Sequence, residues 1–170
     1  MDGEVTLIVY VHVNDLAVTA KNKETFDAFY AQLKEGFPVS DMGNLSWYLG
    51  CAFERDRMEG FMKMTQTAFV DSLVDRFDVQ YEIQTPASVE FDLGPMMSNE
   101  NEGDGPYKQA VGGLLWISGM TRPDIARSAV RAVARHAHSP AAWHRKAVRK
   151  IIVYLKATED LGVVFRRKGT

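Results

Sequence analysis

The chain has 170 residues, a formal net charge of -2, 46% hydrophobic and 25% charged residues. That length suits one domain or two small lobes around a buried core, and the composition is that of a soluble globular protein. No apolar run reaches the roughly 20 residues that cross a bilayer, and the single cysteine, Cys51, excludes an internal disulfide. Met1-Asp2-Gly3-Glu4 lacks the basic stretch that opens a secretory signal, so an intracellular compartment, cytoplasmic or nuclear, is expected. Cys51 has no activating neighbour in the sequence and reads as core rather than nucleophile.

The small net charge conceals an asymmetry. Up to Met120 there are eight Lys/Arg against nineteen Asp/Glu; from Thr121 onward there are twelve against three. The two parts therefore carry -11 and +9. A basic end on a near-neutral chain points to an anionic partner, or to two oppositely charged, solvated lobes.

Val5 to Val11 and Leu16 to Thr19 are β-rich segments on either side of Asn14-Asp15, which predicts a hairpin with an acidic turn. Lys23 to Phe37 predicts a helix with Phe26, Phe29, Tyr30, Leu33 and Phe37 on one face, closed by Pro38. Leu45 to Glu54 predicts a strand interrupted by Gly50. Arg57 to Gly60 is a turn and Phe61 to Met64 the returning strand. Thr65 or Thr67 caps the next helix, with Phe69, Leu73, Val74 and Phe77 on its apolar face. Asp92 to Pro106, rich in Gly, Pro and acids, reads as a flexible linker separating residues 1–91 from 107–170. Three helices follow: Tyr107 to Met120, Pro123 to about His138, and one opened by Ser139-Pro140 and running to about Thr158. Leu161 to Phe165 is a last strand.

Several blocks then fall in a recognisable order: Val13-Asn14-Asp15-Leu16, Ser40-Asp41-Met42-Gly43-Asn44-Leu45, Tyr48-Leu49-Gly50, Thr85-Pro86, and Tyr107 with Val111-Gly112-Gly113-Leu114-Leu115. Thr121-Arg122-Pro123-Asp124-Ile125 comes next, then His144, Ala147, Arg149 and Tyr154-Leu155-Lys156-Ala157-Thr158. Together they resemble the reverse transcriptase of Ty1/copia-type retrotransposons. The resemblance implies an α+β fold: a truncated polymerase palm, antiparallel sheet plus helices, over residues 1–91, followed by a helical thumb-like part over 107–170.

The resembled enzymes hold two divalent ions on three carboxylates, two of them in a Tyr-x-Asp-Asp hairpin turn. In the matching turn His12 takes the aromatic position, Asn14 takes the first Asp position, and only Asp15 is kept. An alternative alignment makes Tyr10-Val11 the remnant, with His12-Val13 inserted. The third carboxylate of the family would lie on a strand preceding Met1. Mg²⁺, the family's ion, seeks anionic oxygens, and Asn offers a neutral carbonyl. Asp15 alone is therefore expected to bind Mg²⁺ weakly at best, and no cofactor is firmly implied. The resulting expectation is a reverse-transcriptase-like fragment that does not polymerise DNA alone. Two alternatives stand beside it: a subunit completed by another chain, and a repurposed protein with an unrelated activity.

Other candidate sites follow. Arg127, Arg131 and Arg135, spaced by four, predict one basic helix stripe, and Arg145, Lys146, Arg149 and Lys150 a second. Such stripes suit the phosphates of duplex or RNA/DNA hybrid nucleic acid, and the resemblance places them in the thumb. Trp47-Tyr48-Leu49-Gly50 resembles the primer-grip hairpin, although aromatics there also suit core filling. A transition metal at His12 and Asp15 competes with an ordinary exposed pair, and His136, His138 and His144 read as solvated histidines. Gly112-Gly113 predicts close helix packing rather than a phosphate cradle. The free edge of the Val5–Val13 strand predicts a homodimer, and no membrane partner is expected.

Overall fold

The computed structural model describes residues 4–77 and 106–167, without the side chains of Arg127 and Ser128. The predicted linker and Thr85-Pro86 therefore lie outside the described residues, Pro106 apart. The chain divides into two compact units, residues 1–48 and 49–170.

The first unit is a hairpin and a helix. Strands β1 (Leu7–His12) and β2 (Asp15–Ala20) pair antiparallel from Leu7 opposite Ala20 to His12 opposite Asp15. Helix α1 (Lys23–Gly36) packs along β2. Its first turn is capped by Asn22, whose side-chain oxygen accepts from the Thr25 amide at 2.9 Å. Phe26, Phe29, Tyr30 and Leu33 are half-buried, as the spacing predicts, but Phe37 lies past the helix end and is exposed. A two-residue strand, β3 (Trp47–Tyr48), closes the unit. None of its described residues is buried. A helix lying on two strands has too little apolar area to close a core.

The second unit holds the core. Strands β4 (Cys51–Asp56), β5 (Phe61–Thr65) and β6 (Val163–Arg166) form an antiparallel sheet, with Glu54 and Val164 both opposite Lys63. The expected strand through Gly50 is broken there: Leu49 and Gly50 have φ of 48° and 75°, conformations that stop a ladder. Helices α2 (Thr67–Arg76), α3 (Tyr107–Met120), α4 (Pro123–Ile125), α5 (Arg131–Ala134) and α6 (Ala142–Ala157) complete the unit.

On α6 the buried residues His144, Ala147, Val148, Ile151, Ile152 and Leu155 recur at three- and four-residue spacing, one stripe of a helix, and Val153 is buried beside it. They meet Val70 and Leu73 of α2, Leu114 and Ile117 of α3, and Ile125, Val130 and Val133. Full burial of each large aliphatic contributes about 1.5–3 kcal/mol. Helix α2, expected to belong with the palm-like part, thus shares its core with the carboxyl-terminal helices.

The helix predicted from Pro123 to about His138 is shorter and uneven. Ala126–Val130 is a π-helical turn between α4 and α5, and α5 stops at Ala134. Tyr107, buried on α3, donates its hydroxyl to the Val133 carbonyl at 2.7 Å beside that end, and burial pushes its phenol up to about 12. Among the described residues no helix is long and apolar enough to cross a membrane. Cys51 is 1% exposed and burial pushes its thiol up, as a core cysteine requires.

Candidate functional site

The turn that carries the resemblance sits at the closed end of the hairpin, one residue earlier than the sequence predicts. Val13-Asn14, not Asn14-Asp15, form the turn, and Asp15 is the first residue of β2, directly opposite His12. A two-residue hairpin turn needs positive φ at its first central position or at both. Val13 supplies it with φ 51°, although its branched Cβ disfavours that region. His12, Val13, Asn14 and Asp15 are all exposed. Directly paired residues share a sheet face, so His12, Asp15 and Tyr10 project together. The Tyr10 ring meets Tyr48 edge-to-face at 6.0 Å, and the Tyr48 hydroxyl reaches the Asp15 carbonyl at 3.4 Å. Partial burial, then Tyr10 and the Asp15 charge, push the Tyr48 phenol up.

The donor set does not fit the family's ion. Asp15 is anionic and its neighbour Asn14 is neutral. Among the described residues no three His, Cys, Asp or Glu side chains come together as a metal-holding group. A hard divalent ion gains little from one exposed carboxylate. Among those residues the His12–Asp15 pair is a cross-strand pair with no third ligand.

The primer-grip-like stretch is split by its own backbone. Trp47 is 52% exposed rather than filling a core, and Tyr48 is half-buried beside Tyr10. Leu49 and Gly50 turn the chain.

The basic residues are redistributed. Four residues advance an α-helix by slightly more than one turn, but a π-helical turn is wider, so the Arg127, Arg131, Arg135 stripe does not run straight. Arg131 and Arg135 are exposed, Arg135 just past the end of α5. On α6, Lys146 and Arg149 are exposed and Lys150 half-buried. Arg145 turns inward and holds its guanidinium 5.8 Å from the Tyr107 ring centre. Of the four residues predicted as one stripe, two are therefore exposed cations.

The histidines correct the expectation of solvated side chains. His144 is fully buried, and its Nδ1 accepts the Ala141 amide hydrogen at 2.8 Å, capping α6. Its ring stacks on His136 at 3.9 Å between centres. The chain doubles back through Ser139-Pro140, which brings together two rings eight positions apart. His138 is exposed.

The Thr121–Ile125 and Tyr154–Thr158 blocks meet. Arg122, 2% exposed, donates from Nε and Nη2 to the Asp124 carboxylate at 3.0 and 2.8 Å, and from Nη1 and Nη2 to the Thr158 carbonyl and hydroxyl at 3.0 and 2.8 Å. The Tyr154 hydroxyl donates to Asp124 at 2.9 Å, and its ring lies 5.1 Å from the guanidinium. Burial raises the Asp124 carboxyl, but hydrogen bonds from Arg122 and Tyr154 and the Arg122 charge outweigh it and hold it low.

The two glycines of α3 play different parts. A Cβ on Gly113 would lie 3.2 Å from Leu73, so this glycine does permit close packing. Gly112 faces open space and shares the outer face of α3 with Lys108 and the exposed Trp116, four residues to each side. Sequence reasoning missed this face; the Lys108, Gly112, Trp116 spacing was its available signal. Two shallow depressions of about 310 and 300 Å³ both open on Lys63 and Asp160.

The family described as "Reverse transcriptase (RNA-dependent DNA polymerase)" matches residues 1–88. The chain is 28% identical over 160 residues to the retrovirus-related Pol polyprotein from transposon TNT 1-94 of Nicotiana tabacum, covering 89% of this chain and 12% of that one. It is 24% identical to the Pol polyprotein from transposon RE1 of Arabidopsis thaliana, over 99% of this chain and 11% of that one. A transposon Ty5-1 protein of Saccharomyces cerevisiae is 26% identical, over 97% of this chain and 53% of that one. The chain thus spans about a tenth of the plant polyproteins and about half of the yeast protein. No solved structure matches. The chain belongs to the reverse transcriptase (RNA-dependent DNA polymerase) family, as a reverse-transcriptase-like Pol region of the Ty1/copia type.

Proposed function

We propose that this Pol region does not extend primers by itself, and that its helical part binds duplex or hybrid nucleic acid without sequence preference. The observation that carries the first half is the neutral Asn14 beside Asp15 at the turn. Support for the second half is the exposure of Arg131, Arg135, Lys146 and Arg149 in the part of the chain with the large basic excess. Arg127, Arg145 and Lys150 are proposed as further phosphate-binding residues. The outer face of α3, uncharged beyond Lys108 and bearing Trp116, offers an apolar strip against which a sugar edge could lie. The palm-like and thumb-like division at residues 92–106 belongs to the same reading, as does an intracellular setting.

Two assays test it. Primer extension on an RNA template with Mg²⁺ or Mn²⁺ is expected to give no templated product, and clean product from pure protein overturns the first half. Titration of a labelled hybrid across salt concentrations is expected to show affinity falling with salt. Neutralising Arg131, Arg135, Lys146 and Arg149 together should flatten the slope by about 0.9 for each phosphate that is no longer neutralised. Affinity indifferent to salt overturns the second half.

A second reading, completion by another chain, rests on the exposed β1. Val5, Ile8, Tyr10, Val11 and Val13 are each more than half exposed, and Val5–Val13 contains no charged residue. An uncharged β-rich edge pairs readily with another strand, including that of a second copy. Light scattering at micromolar concentration is expected to give twice the chain mass; a monomer removes the homodimer. Adding Asn14→Asp and an upstream palm segment in trans tests completion by a different chain.

A further inference from the structure

The hairpin tip places a side-chain amide immediately before an unbranched residue, where little packing holds the chain. Asn14 and Asp15 are exposed. The residue before them, Val13, holds a β-branched side chain at φ 51°, a strained conformation. The register makes Asp15, opposite His12, the first ladder position after the turn. No described residue of this unit is buried, so little burial opposes opening of the tip. When it opens, the Asp15 backbone nitrogen comes within reach of the Asn14 side-chain carbon.

We propose that Asn14 is a self-modification site, at which deamidation adds a second carboxylate beside that of Asp15 at the hairpin tip. The chemistry needs only water. The Asp15 nitrogen gives up its proton to solvent and bonds to Asn14 Cγ. The bond from Cγ to the side-chain nitrogen breaks, and ammonia leaves carrying the proton. Water then adds to one of the two carbonyls of the cyclic imide and its ring C–N bond breaks. An aspartyl or an isoaspartyl residue is left at position 14. The step involves no oxidation or reduction. The donor set that does not fit a hard divalent ion would thereby gain its second anionic oxygen donor.

Two other asparagines serve as internal references. Asn22 has its side-chain oxygen bound by the amide and hydroxyl of Thr25, at 2.9 and 2.7 Å, at the start of α1. Asn44 is followed by the bulkier, branched Leu45, which hinders approach of the nitrogen.

The consequence for metal binding rests on reading the turn as a relict metal site; the modification itself does not. Purified full-length chain held at mildly alkaline pH and digested with trypsin releases the peptide Met1–Lys21. Mass spectrometry with chromatographic separation is expected to show amide-to-acid conversion at Asn14, in aspartyl and isoaspartyl forms, several-fold faster than at Asn22 or Asn44. In Val13→Gly the strain is relieved and conversion slows. Equal rates at the three asparagines, or no conversion at Asn14, overturn the proposal, and an unchanged rate in Val13→Gly overturns the role given to strain. Mn²⁺ binding followed by electron paramagnetic resonance should rise in aged protein towards that of Asn14→Asp. Conversion without that rise overturns the restored pair alone. Primer extension by fresh, unmodified protein would instead overturn the earlier reading of the turn and leave the modification standing.

Discussion

Arg122 shows how a motif legible only as a resemblance acquires a physical reason. Its guanidinium is buried, yet four hydrogen bonds and an aromatic face satisfy it. Removing one partner of a buried ion pair is costly because the other group is left behind. Arg122→Met is therefore expected to destabilise the second unit by about 3 kcal/mol in urea denaturation. Tyr154→Phe, which deletes one donor to a charged acceptor, should cost about 1.5 kcal/mol. Asp124 sets the pH dependence. Its folded-state carboxyl titrates below the ordinary range, so its contribution is fully present above that range and is lost as pH falls through the lowered value. The stability gap between the natural chain and Asp124→Asn should accordingly close in acid. A gap constant down to the acid limit would mean that Asp124 is not held low. None of this is visible in the sequence, which places Arg122 and Thr158 thirty-six positions apart and says nothing of their meeting.

At the scale of elements, periodicity is a good guide where burial enforces it. The apolar stripe of α6 and the half-buried face of α1 sit where the spacing puts them. Boundaries follow local backbone chemistry instead. Gly50 and Leu49 cut a predicted strand in two, and the π-helical turn shortens a predicted helix. The hairpin turn shifts by one residue because Val13 adopts a conformation that propensity assigns to Asn or Gly. His144 is hard to read because an imidazole near basic residues suggests water, whereas this one takes the part of the Glu or Gln of a capping box, reaching back from the first turn to the Ala141 amide. His144→Ala removes both a cap and buried volume, and a loss of about 2–3 kcal/mol is expected. His144→Asn, which keeps an acceptor, should recover part of it. Equal losses in the two variants would show that the ring's volume alone matters.

For the whole molecule, the distribution of burial matters more than its amount. Every buried residue among those described lies in the second unit. Amides of that unit's α3 and α6 are expected to exchange with deuterium only on global unfolding, and those of β1 and β2 through local opening, orders of magnitude faster. Comparable protection in both units at low protein concentration would contradict that, whereas protection of the hairpin that grows with concentration would reveal a second copy covering β1. The α+β class and the family are legible because they rest on patterns and motif order. The candidate site is legible only as residue identities at the turn. The sequence shows that Asn14 is neutral, but it cannot show that Arg145 turns inward or that Trp47 stays exposed, since both depend on neighbours remote in sequence.

The π-helical turn at Ala126–Val130 works as slack in the helix. A π turn holds one residue more than the α-helix requires and absorbs it by widening, where an α-helical step would add roughly 100° about the axis. Deleting a single residue within Ala126–Val130 would let α4 and α5 merge into one regular helix. Arg131 and Arg135 would then keep their present heading, with the chain's charge almost unchanged. Such a deletion separates the wide turn from the direction and number of the basic side chains, so nucleic-acid affinity that survives it would show that the helical part meets a phosphate backbone through those side chains and not through the turn, and affinity lost with it would show the reverse.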